Sequence, residues 1–289
     1  MSWGPIVPAR IDLGDPAAPW SVDFGDVYHS RAGAWGQARH VFVGGNGLPG
    51  RWGGRTQFSI LETGFGLGHN FFTTWAAWRD DPRRPQRLWY LAIERHPPRR
   101  EDLVRAHAGS PEPQLAAALT ERWPPLTPDL HRIDFEHGSV RLLLALGDVA
   151  RVLPELVAPV DAFYLDGFAP ERNPAMWDAR LLRGLHRLAA PGATVATWCV
   201  AGSVRRALTS AGFAIEKAPG FGGKREMTVG RFAPRVAARQ PPGRQALPAR
   251  SVAVIGAGLA GAAAARSLAA LGSAVQVFER RAPPAGAPS

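Results

Sequence analysis

Acidic residues and glycines follow several apolar stretches of this 289-residue chain, at positions where they could bind a ligand. The stretch FSILETG leads into ETGFGLGHN, which carries Glu62, Gly64, Gly66 and Gly68 ahead of an aromatic-rich helical segment. Glycine lets a backbone bend sharply and approach a ligand closely, because it has no Cβ. The pattern is typical of a strand-to-helix loop that holds a cofactor, although a tight turn without a ligand has the same composition.

Three further carboxylates stand at the ends of later apolar stretches. Glu94 ends RLWYLAIE, Asp148 follows LLLALG, and Asp166 lies in FYLDGF. The carboxyl ends of parallel strands meet at one edge of a sheet, so we expect these acids beside the glycine loop. Glu94 could accept hydrogen bonds from ribose hydroxyls or be a solvated acid at a strand end, and Asp148 suits an adenine amino group.

Seven apolar stretches are predicted to be the strands that position these residues: FSILETG, RLWYLAIE, VRLLLALGD, VDAFYLDGF, TVATWCV, FAIEKAPG and REMTVGRF. Helix-like segments lie between them at 69–79, 99–120, 174–190 and 202–211. This alternation predicts an α/β protein with a Rossmann-like, seven-stranded and mostly parallel sheet.

The chain is predicted to have four parts. Residues 1–57 are loop-like and rich in aromatic residues, and they form a small, partly β N-terminal cap. Residues 58–233 form the α/β domain. The Pro- and Arg-rich residues 234–250 form a linker, and residues 251–289 begin a separate β-α-β unit.

Composition narrows the possible partners and compartments. Lys and Arg number 34 against 24 Asp and Glu, a formal net charge of +10, which favours a polyanion such as nucleic acid but also fits a general compositional bias. The single cysteine excludes an intramolecular disulfide and makes a cysteine-based metal site unexpected, in keeping with the cytoplasm. The opening MSWGPIVPAR is unlike a signal peptide. We expect no metal site and no membrane association.

The glycine loop resembles motif I of the S-adenosylmethionine-dependent methyltransferases of class I, which have the Rossmann-like fold. This resemblance implies S-adenosyl-L-methionine as the cofactor, and it places Asp166 beside the reactive methyl group. The residues implied to bind the cofactor are Glu62, Gly64, Gly66, Gly68, Asn70, Glu94 and Asp148.

A longer resemblance involves LDGFAP, NPAMW, PGATVAT and GFGGKREMTVG, with DFGDVYHS near the start and VIGAGLAGAAAA near the end. In this combination and order, the segments resemble the methyltransferase half of the bifunctional tRNA 5-methylaminomethyl-2-thiouridine biosynthesis proteins, the MnmC family. The chain departs from the family at Leu67 and His69. His69 could be a ligand or a base, but a helix-start residue facing the cofactor loop is the favoured interpretation.

The MnmC resemblance implies methylation of the aminomethyl nitrogen of 5-aminomethyl-2-thiouridine, the wobble base in the tRNA anticodon loop, to give 5-methylaminomethyl-2-thiouridine. Asp166 could orient the amine and accept its proton. Other classes stay open at this point: methylation of another small-molecule or protein amine, a catalytically silent tRNA-binding protein, or an FAD or NAD oxidoreductase.

Residues near Asp166 and in the last predicted hairpin are candidates for binding the tRNA. An unstacked uracil could be held by Phe168, Asn173, Pro174 and Trp177. Trp177 fits equally well as a core residue of the next helix. The pairs Lys224–Arg225 and Arg205–Arg206 are candidate phosphate contacts, unless they are ordinary solvated charges.

The last segment carries Gly256, Gly258, Gly261 and Glu279 at the spacing of a dinucleotide-binding fingerprint. It resembles the start of the FAD-dependent oxidoreductase half of the MnmC proteins, which in the family removes a carboxymethyl group from the same side chain. The segment is short for such a domain, so we expect neither stable FAD binding nor oxidoreductase activity. A separate oxidoreductase would then supply the amine.

Overall fold

The computed structural model describes residues 4–234, 251–270 and 272–280. The chain divides into two compact units, Met1–Ala237 and Ala238–Ser289. The predicted cap and α/β domain both lie in the first unit. Apart from Pro234, the predicted linker lies outside the described residues, and the boundaries of the four proposed parts stay predictions.

The N-terminal part of the first unit combines short strands with short helices. Its three-stranded sheet, in the order β1-β2-β3, is antiparallel. A π-helix at Ala38–Gly44 follows directly after helix α1. The bounds are β1 (Ile11–Asp12), β2 (Trp20–Ser21), β3 (Asp26–Val27) and α1 (Ala34–Gln37).

An eight-stranded sheet forms the centre of the first unit, and the predicted α/β class is confirmed. Its strands are β4 (Gln57–Glu62), β5 (Arg87–Glu94), β6 (Asp129–Phe135), β7 (Val140–Leu146), β8 (Val160–Tyr164), β9 (Ala189–Thr197), β10 (Phe213–Pro219) and β11 (Glu226–Phe232). Their spatial order is β10-β11-β9-β8-β4-β5-β7-β6. The pairs among β4, β5, β7, β8 and β9 are parallel, and the remaining three pairs are antiparallel.

The sheet has eight strands rather than the predicted seven because β6 was not recognised. Its sequence, DLHRIDF, is polar at most positions, and only Ile133 and Phe135 are buried. It lies at the sheet edge and pairs with β7 alone, with Phe135 opposite Val140. One face of an edge strand can stay in water, so β6 needs few apolar residues.

Helices cover both faces of this sheet. Neighbouring residues of β4 point to opposite faces, so Ile60 belongs to one hydrophobic core cluster and Leu61 to the other. Helix α2 contributes Phe71 and Trp75 to the first cluster, and α7 contributes Leu208 to the second. The bounds are α2 (His69–Asp80), α3 (Arg100–Ala106), α4 (Pro113–Glu121), α5 (Val149–Val152), α6 (Ala179–Gly184) and α7 (Gly202–Ser210).

The second unit has a β-α-β order: β12 (Val252–Ile255), α8 (Leu259–Ala270) and β13 (Val275–Phe278). The two strands pair in parallel, as a dinucleotide-binding start requires. A Cβ at position 261 would collide with the carbonyl oxygen of Gly256, whose φ is +97°. The backbone N–H of Ala257 donates a 2.7 Å hydrogen bond to Oε2 of Glu279, which joins the turn to the end of β13.

Within the described ranges, no helix is long and apolar enough to cross a membrane. The same residues contain no group of His, Cys, Asp and Glu side chains arranged to hold a metal ion.

Candidate active site

A cavity of about 320 Å³ opens where β4, β5, β7, β8 and β9 end. Small-molecule sites in proteins commonly have volumes of ~300–1,000 Å³. Residues that follow each of these strands line the cavity, as do Phe24 and Asp26–Ser30 of the N-terminal part. The parallel strands therefore bring the loops of five chain segments to one place.

The glycine loop forms one wall of the cavity, which Gly64 and Gly66 line. A Cβ at position 64 would lie 2.8 Å from the carbonyl oxygen of Asp166, so only glycine fits there without displacing backbone. Gly66 has φ +52°. Gly68 precedes α2 with φ +81° and packs against Phe65 rather than lining the cavity.

Glu62 lies behind the cavity wall, with no exposed surface. Its Oε1 accepts a 2.6 Å hydrogen bond from Nδ2 of Asn70, and its Oε2 accepts a 3.0 Å hydrogen bond from the Tyr90 hydroxyl. Burial, with the nearby Asp166 carboxylate, raises the pKa of Glu62 well above its usual range. Glu62 is therefore placed to fix Asn70, which does line the cavity, and not to touch a ligand itself.

Glu94 and Asp148 line the cavity at the ends of two paired strands, β5 and β7. The backbone N–H groups of Gly66 and His96 donate to the Glu94 carboxylate at 2.8 and 2.7 Å. Asp148 begins α5 by accepting from the N–H of Ala150 at 2.8 Å, and its Oδ2 lies 3.0 Å from Nη1 of Arg95. A carboxylate has about four acceptor positions, so both groups keep capacity for the hydroxyl and amino groups of an adenosine.

Asp166 is held at three points. Nδ2 of Asn70 donates to its Oδ2 at 2.8 Å, while Oδ1 accepts from the N–H of Gly167 at 2.9 Å and from Nε1 of Trp198 at 3.1 Å. Burial raises the pKa of Asp166 to about 6, even though these hydrogen bonds oppose the change. A carboxyl group with such a pKa can take up and release a proton near neutral pH.

Aromatic residues of the N-terminal part cover the loop after Asp166, and the sequence did not identify them as site residues. Phe24 stacks on Phe168 with ring centroids 4.7 Å apart, and Tyr28 meets the same ring edge-on at 5.2 Å. Oδ2 of Asp26 accepts from the N–H of Ala169 at 3.0 Å, which ties β3 to this loop. The only signal in the sequence was the density of aromatic and acidic residues in DFGDVYHS.

The four residues predicted to hold a uracil separate into two groups. Phe168 and Asn173 line the cavity, whereas Pro174 is exposed and Trp177 is not among the lining residues. Trp177 is 7% exposed in the second core cluster, and its Nε1 donates a 2.8 Å hydrogen bond to the carbonyl of Phe168. The structure thus favours Trp177 as a core residue. Its hydrogen bond to the Phe168 carbonyl supports the loop after Asp166.

The four candidate phosphate contacts also separate. Lys224 lines the cavity, with its Nζ 3.5 Å from the centroid of the Trp198 ring. Arg225 is exposed and does not line the cavity. Arg205 and Arg206 lie on α7 and are not among the lining residues.

His69 lines the cavity together with His29, and His107 packs behind it. The ring of His69 lies 5.1 Å from that of His29 and 4.7 Å from that of His107, measured between centroids. Burial lowers the pKa of all three histidines. At neutral pH they are uncharged rings that shape the wall next to the glycine loop.

Two family models match the chain. Residues 110–233 match a family described as S-adenosyl-L-methionine-dependent methyltransferase, and residues 254–288 match one described as NAD(P)-binding Rossmann-like domain. The crystal structure of MNMC2 from Aquifex aeolicus has the same fold, with a TM-score of 0.61 and 24% identity over 76% of this chain and 69% of that one. Fold and site together define a class I S-adenosyl-L-methionine-dependent methyltransferase domain.

Curated relatives identify the family. The tRNA 5-methylaminomethyl-2-thiouridine biosynthesis bifunctional protein MnmC of Methylibium petroleiphilum is 57% identical over 99% of this chain, and that of Aromatoleum aromaticum is 54% identical over 95%. The chain spans 44% and 43% of the lengths of these two relatives. The chain belongs to the MnmC family, and the resemblance predicted from its sequence is confirmed.

Proposed function

We propose that the chain transfers a methyl group from S-adenosyl-L-methionine to the aminomethyl nitrogen of 5-aminomethyl-2-thiouridine at the wobble position of tRNA. The product is 5-methylaminomethyl-2-thiouridine, the nucleoside after which the curated relatives are named. The main support for this proposal comes from Asp166. Its carboxyl group lies on the wall of a cavity beside a glycine loop, and burial raises its pKa to about 6.

The residues of the cavity fit S-adenosyl-L-methionine. Glu94 and Asp148 offer carboxylates for the ribose and the adenine, and Gly64 and Gly66 leave room for close approach. Asn70 lines the wall between this loop and Asp166. When bound, S-adenosyl-L-methionine supplies an electrophilic methyl group on a sulfonium.

Asp166 is assigned the proton transfer. An alkyl amine resembles the lysine side chain, with a pKa of roughly 10 in water, so most of it is protonated and cannot attack. The neutral nitrogen would form the new bond to the methyl carbon of the bound cofactor and lose one proton, while the electron pair of the broken carbon–sulfur bond would stay with the cofactor. The ionised Asp166 accepts that proton and passes it to solvent.

The tRNA is proposed to present its wobble base unstacked from the anticodon loop. Phe168 offers an apolar ring and Asn173 an amide at the cavity wall. Exposed cations such as Arg225, together with the formal net charge of +10, favour the phosphate backbone. We place the reaction in the cytoplasm, where tRNA is available and Cys199 stays reduced.

The amine must come from an earlier reaction on the same uridine. We propose that an oxidoreductase supplies it, as the word bifunctional in the relatives' name suggests. The methyl transfer itself uses only residues of the first unit. The glycine turn and Glu279 of the second unit take no part in it, and we propose no redox step for them.

The test is transfer of a labelled methyl group from S-adenosyl-L-methionine to tRNA that carries 5-aminomethyl-2-thiouridine. Label is expected in the RNA fraction, and ribonuclease treatment beforehand should abolish the transfer. Label on free amines or on protein would instead favour another amine substrate. Tight cofactor binding without any transfer would favour a silent tRNA-binding protein.

A further inference from the structure

Lys224 is an exposed residue in the hairpin loop between β10 and β11, and this loop contacts the N-terminal part of the chain. Gly222 has φ +60°, and a Cβ there would lie 2.5 Å from Oγ of Ser30. Phe221 packs against the ring of His40 with centroids 5.9 Å apart, and Nε2 of His40 lies 2.8 Å from the carbonyl oxygen of Pro219. The loop therefore rests on the N-terminal part and holds Lys224 at the cavity.

Lys224 and Asp166 contact the same indole. The Nζ of Lys224 lies 3.5 Å from the centroid of the Trp198 ring, while Nε1 of Trp198 donates to Oδ1 of Asp166 at 3.1 Å. An ammonium over an indole face is attracted by the ring electrons. The cation and the carboxylate are thus joined through one rigid side chain.

The titratable groups that face Lys224 are Asp26 on β3, Asp166 after β8 and Cys199 after β9. Burial lowers the pKa of Lys224 while these groups raise it. Its neighbour Glu226 is paired with Lys217 at 2.7 Å. In return, the charge of Lys224 is one of the influences that lower the pKa of Asp166.

The proposed reaction has an electrostatic conflict at Asp166. A carboxylate beside the substrate nitrogen stabilises the protonated amine, which cannot attack the methyl group. A second positive charge at the same place disfavours that protonated form. Lys224 is the lysine among the residues that line the cavity.

We propose that Lys224 is a positioning residue for charge at the site: its ammonium, held on Trp198 beside Asp166, keeps the incoming amine neutral and Asp166 ionised. The inference rests on the proposed function. It differs from a phosphate contact, because a phosphate contact would change tRNA affinity and its salt dependence without changing the charge of the amine.

The experiment measures kcat against pH at saturating tRNA and S-adenosyl-L-methionine, since kcat reports groups in the bound complex. In Lys224→Met the acid limb is expected to move up by roughly one pH unit, a loss of about tenfold at low pH that disappears at high pH. Lys224→Arg keeps the charge and should restore the wild-type profile.

Arg225→Met is the matched control, because Arg225 is the adjacent cation and does not line the cavity. This variant is expected to change the KM for tRNA and the salt dependence of tRNA binding. The dependence of kcat on pH should match that of the wild type. A Lys224→Met profile that superimposes on the wild-type profile, with only KM changed, overturns the inference and makes Lys224 a phosphate contact. No methylation by the wild-type protein at any pH overturns the proposed function instead.

Discussion

Asn70 and Asp166 are joined by a 2.8 Å hydrogen bond from the Nδ2 atom to Oδ2, which connects the first turn of α2 to the loop after β8. The same amide nitrogen donates to Glu62 at 2.6 Å. A buried acid, an amide and a cavity carboxylate therefore form one continuous network. The charge and position of Asp166 therefore depend in part on Glu62, which does not line the cavity.

Replacement of Asp166 by Asn should strongly slow methyl transfer while leaving cofactor binding in place. The amide keeps the shape of the side chain but cannot accept the proton, so kcat is expected to fall by about 10²–10⁴-fold. Isothermal titration calorimetry with S-adenosyl-L-methionine should give an affinity close to that of the wild type. A variant that retains full kcat would remove Asp166 from the reaction.

Glu62→Gln should become relatively more stable than the wild type as pH rises. The raised pKa of Glu62 means that the folded protein keeps this proton while the unfolded chain loses it above about pH 4.5. Protonated Glu62 therefore contributes its whole stabilisation of the fold below about pH 4.5. This contribution is lost as the pH rises through the raised pKa of the folded protein. Glutamine cannot ionise, so it avoids the loss.

The measurement is the free energy of unfolding in urea, compared between Glu62→Gln and wild type at pH 5 and pH 8. The difference should shift in favour of glutamine at pH 8. A difference that is the same at both pH values would mean that Glu62 is ionised in the folded protein. Such a result would mean that the hydrogen bonds from Asn70 and Tyr90 outweigh the effect of burial on Glu62.

Gly64→Ala should damage the site itself. The new Cβ would lie 2.8 Å from the backbone carbonyl oxygen of Asp166, so the glycine loop or the Asp166 loop must move. We expect cofactor affinity and kcat each to fall by about tenfold or more, since small displacements at an active site are costly. Gly109→Ala is the control, because a Cβ there meets nothing within 4 Å.

Trp177→Phe tests whether this residue belongs to the core or to the uracil site. The change removes the 2.8 Å hydrogen bond to the Phe168 carbonyl and should destabilise the fold by about 1–3 kcal/mol. The free energy of unfolding and the KM for tRNA are both measured, and KM should change little in folded protein. A large rise in KM with unchanged stability would return Trp177 to the substrate site.

The sequence predicted where the strand-end acids lie, because parallel strands bring their carboxyl ends to one edge, while their roles stay predictions. Glu94, Asp148 and Asp166 all line the cavity. Periodicity could not show that Glu62, one residue before its loop, points into the core. The contact between Phe24 and Phe168 could not be predicted either, because the two residues are far apart in sequence and meet only in the tertiary fold.

Two further features could not be predicted from the sequence: the polar edge strand β6 and the core position of Trp177. Strand β6 has a pattern too polar to predict as a strand, because one of its faces stays in water. Trp177 has the same residue type and spacing whether it packs inward or faces a base. The structure decides between these two positions, because Trp177 is only 7% exposed and donates a hydrogen bond to the Phe168 carbonyl.

The most direct test of the account is mass spectrometry of nucleosides. The protein is incubated with S-adenosyl-L-methionine and tRNA bearing 5-aminomethyl-2-thiouridine, and the digested RNA is compared with that from Asp166→Asn. We expect the wild type to convert this nucleoside to its 5-methylaminomethyl form, and the variant to convert at least about a hundredfold less in the same time. An unchanged nucleoside, with cofactor bound and tRNA intact, would contradict the central claim.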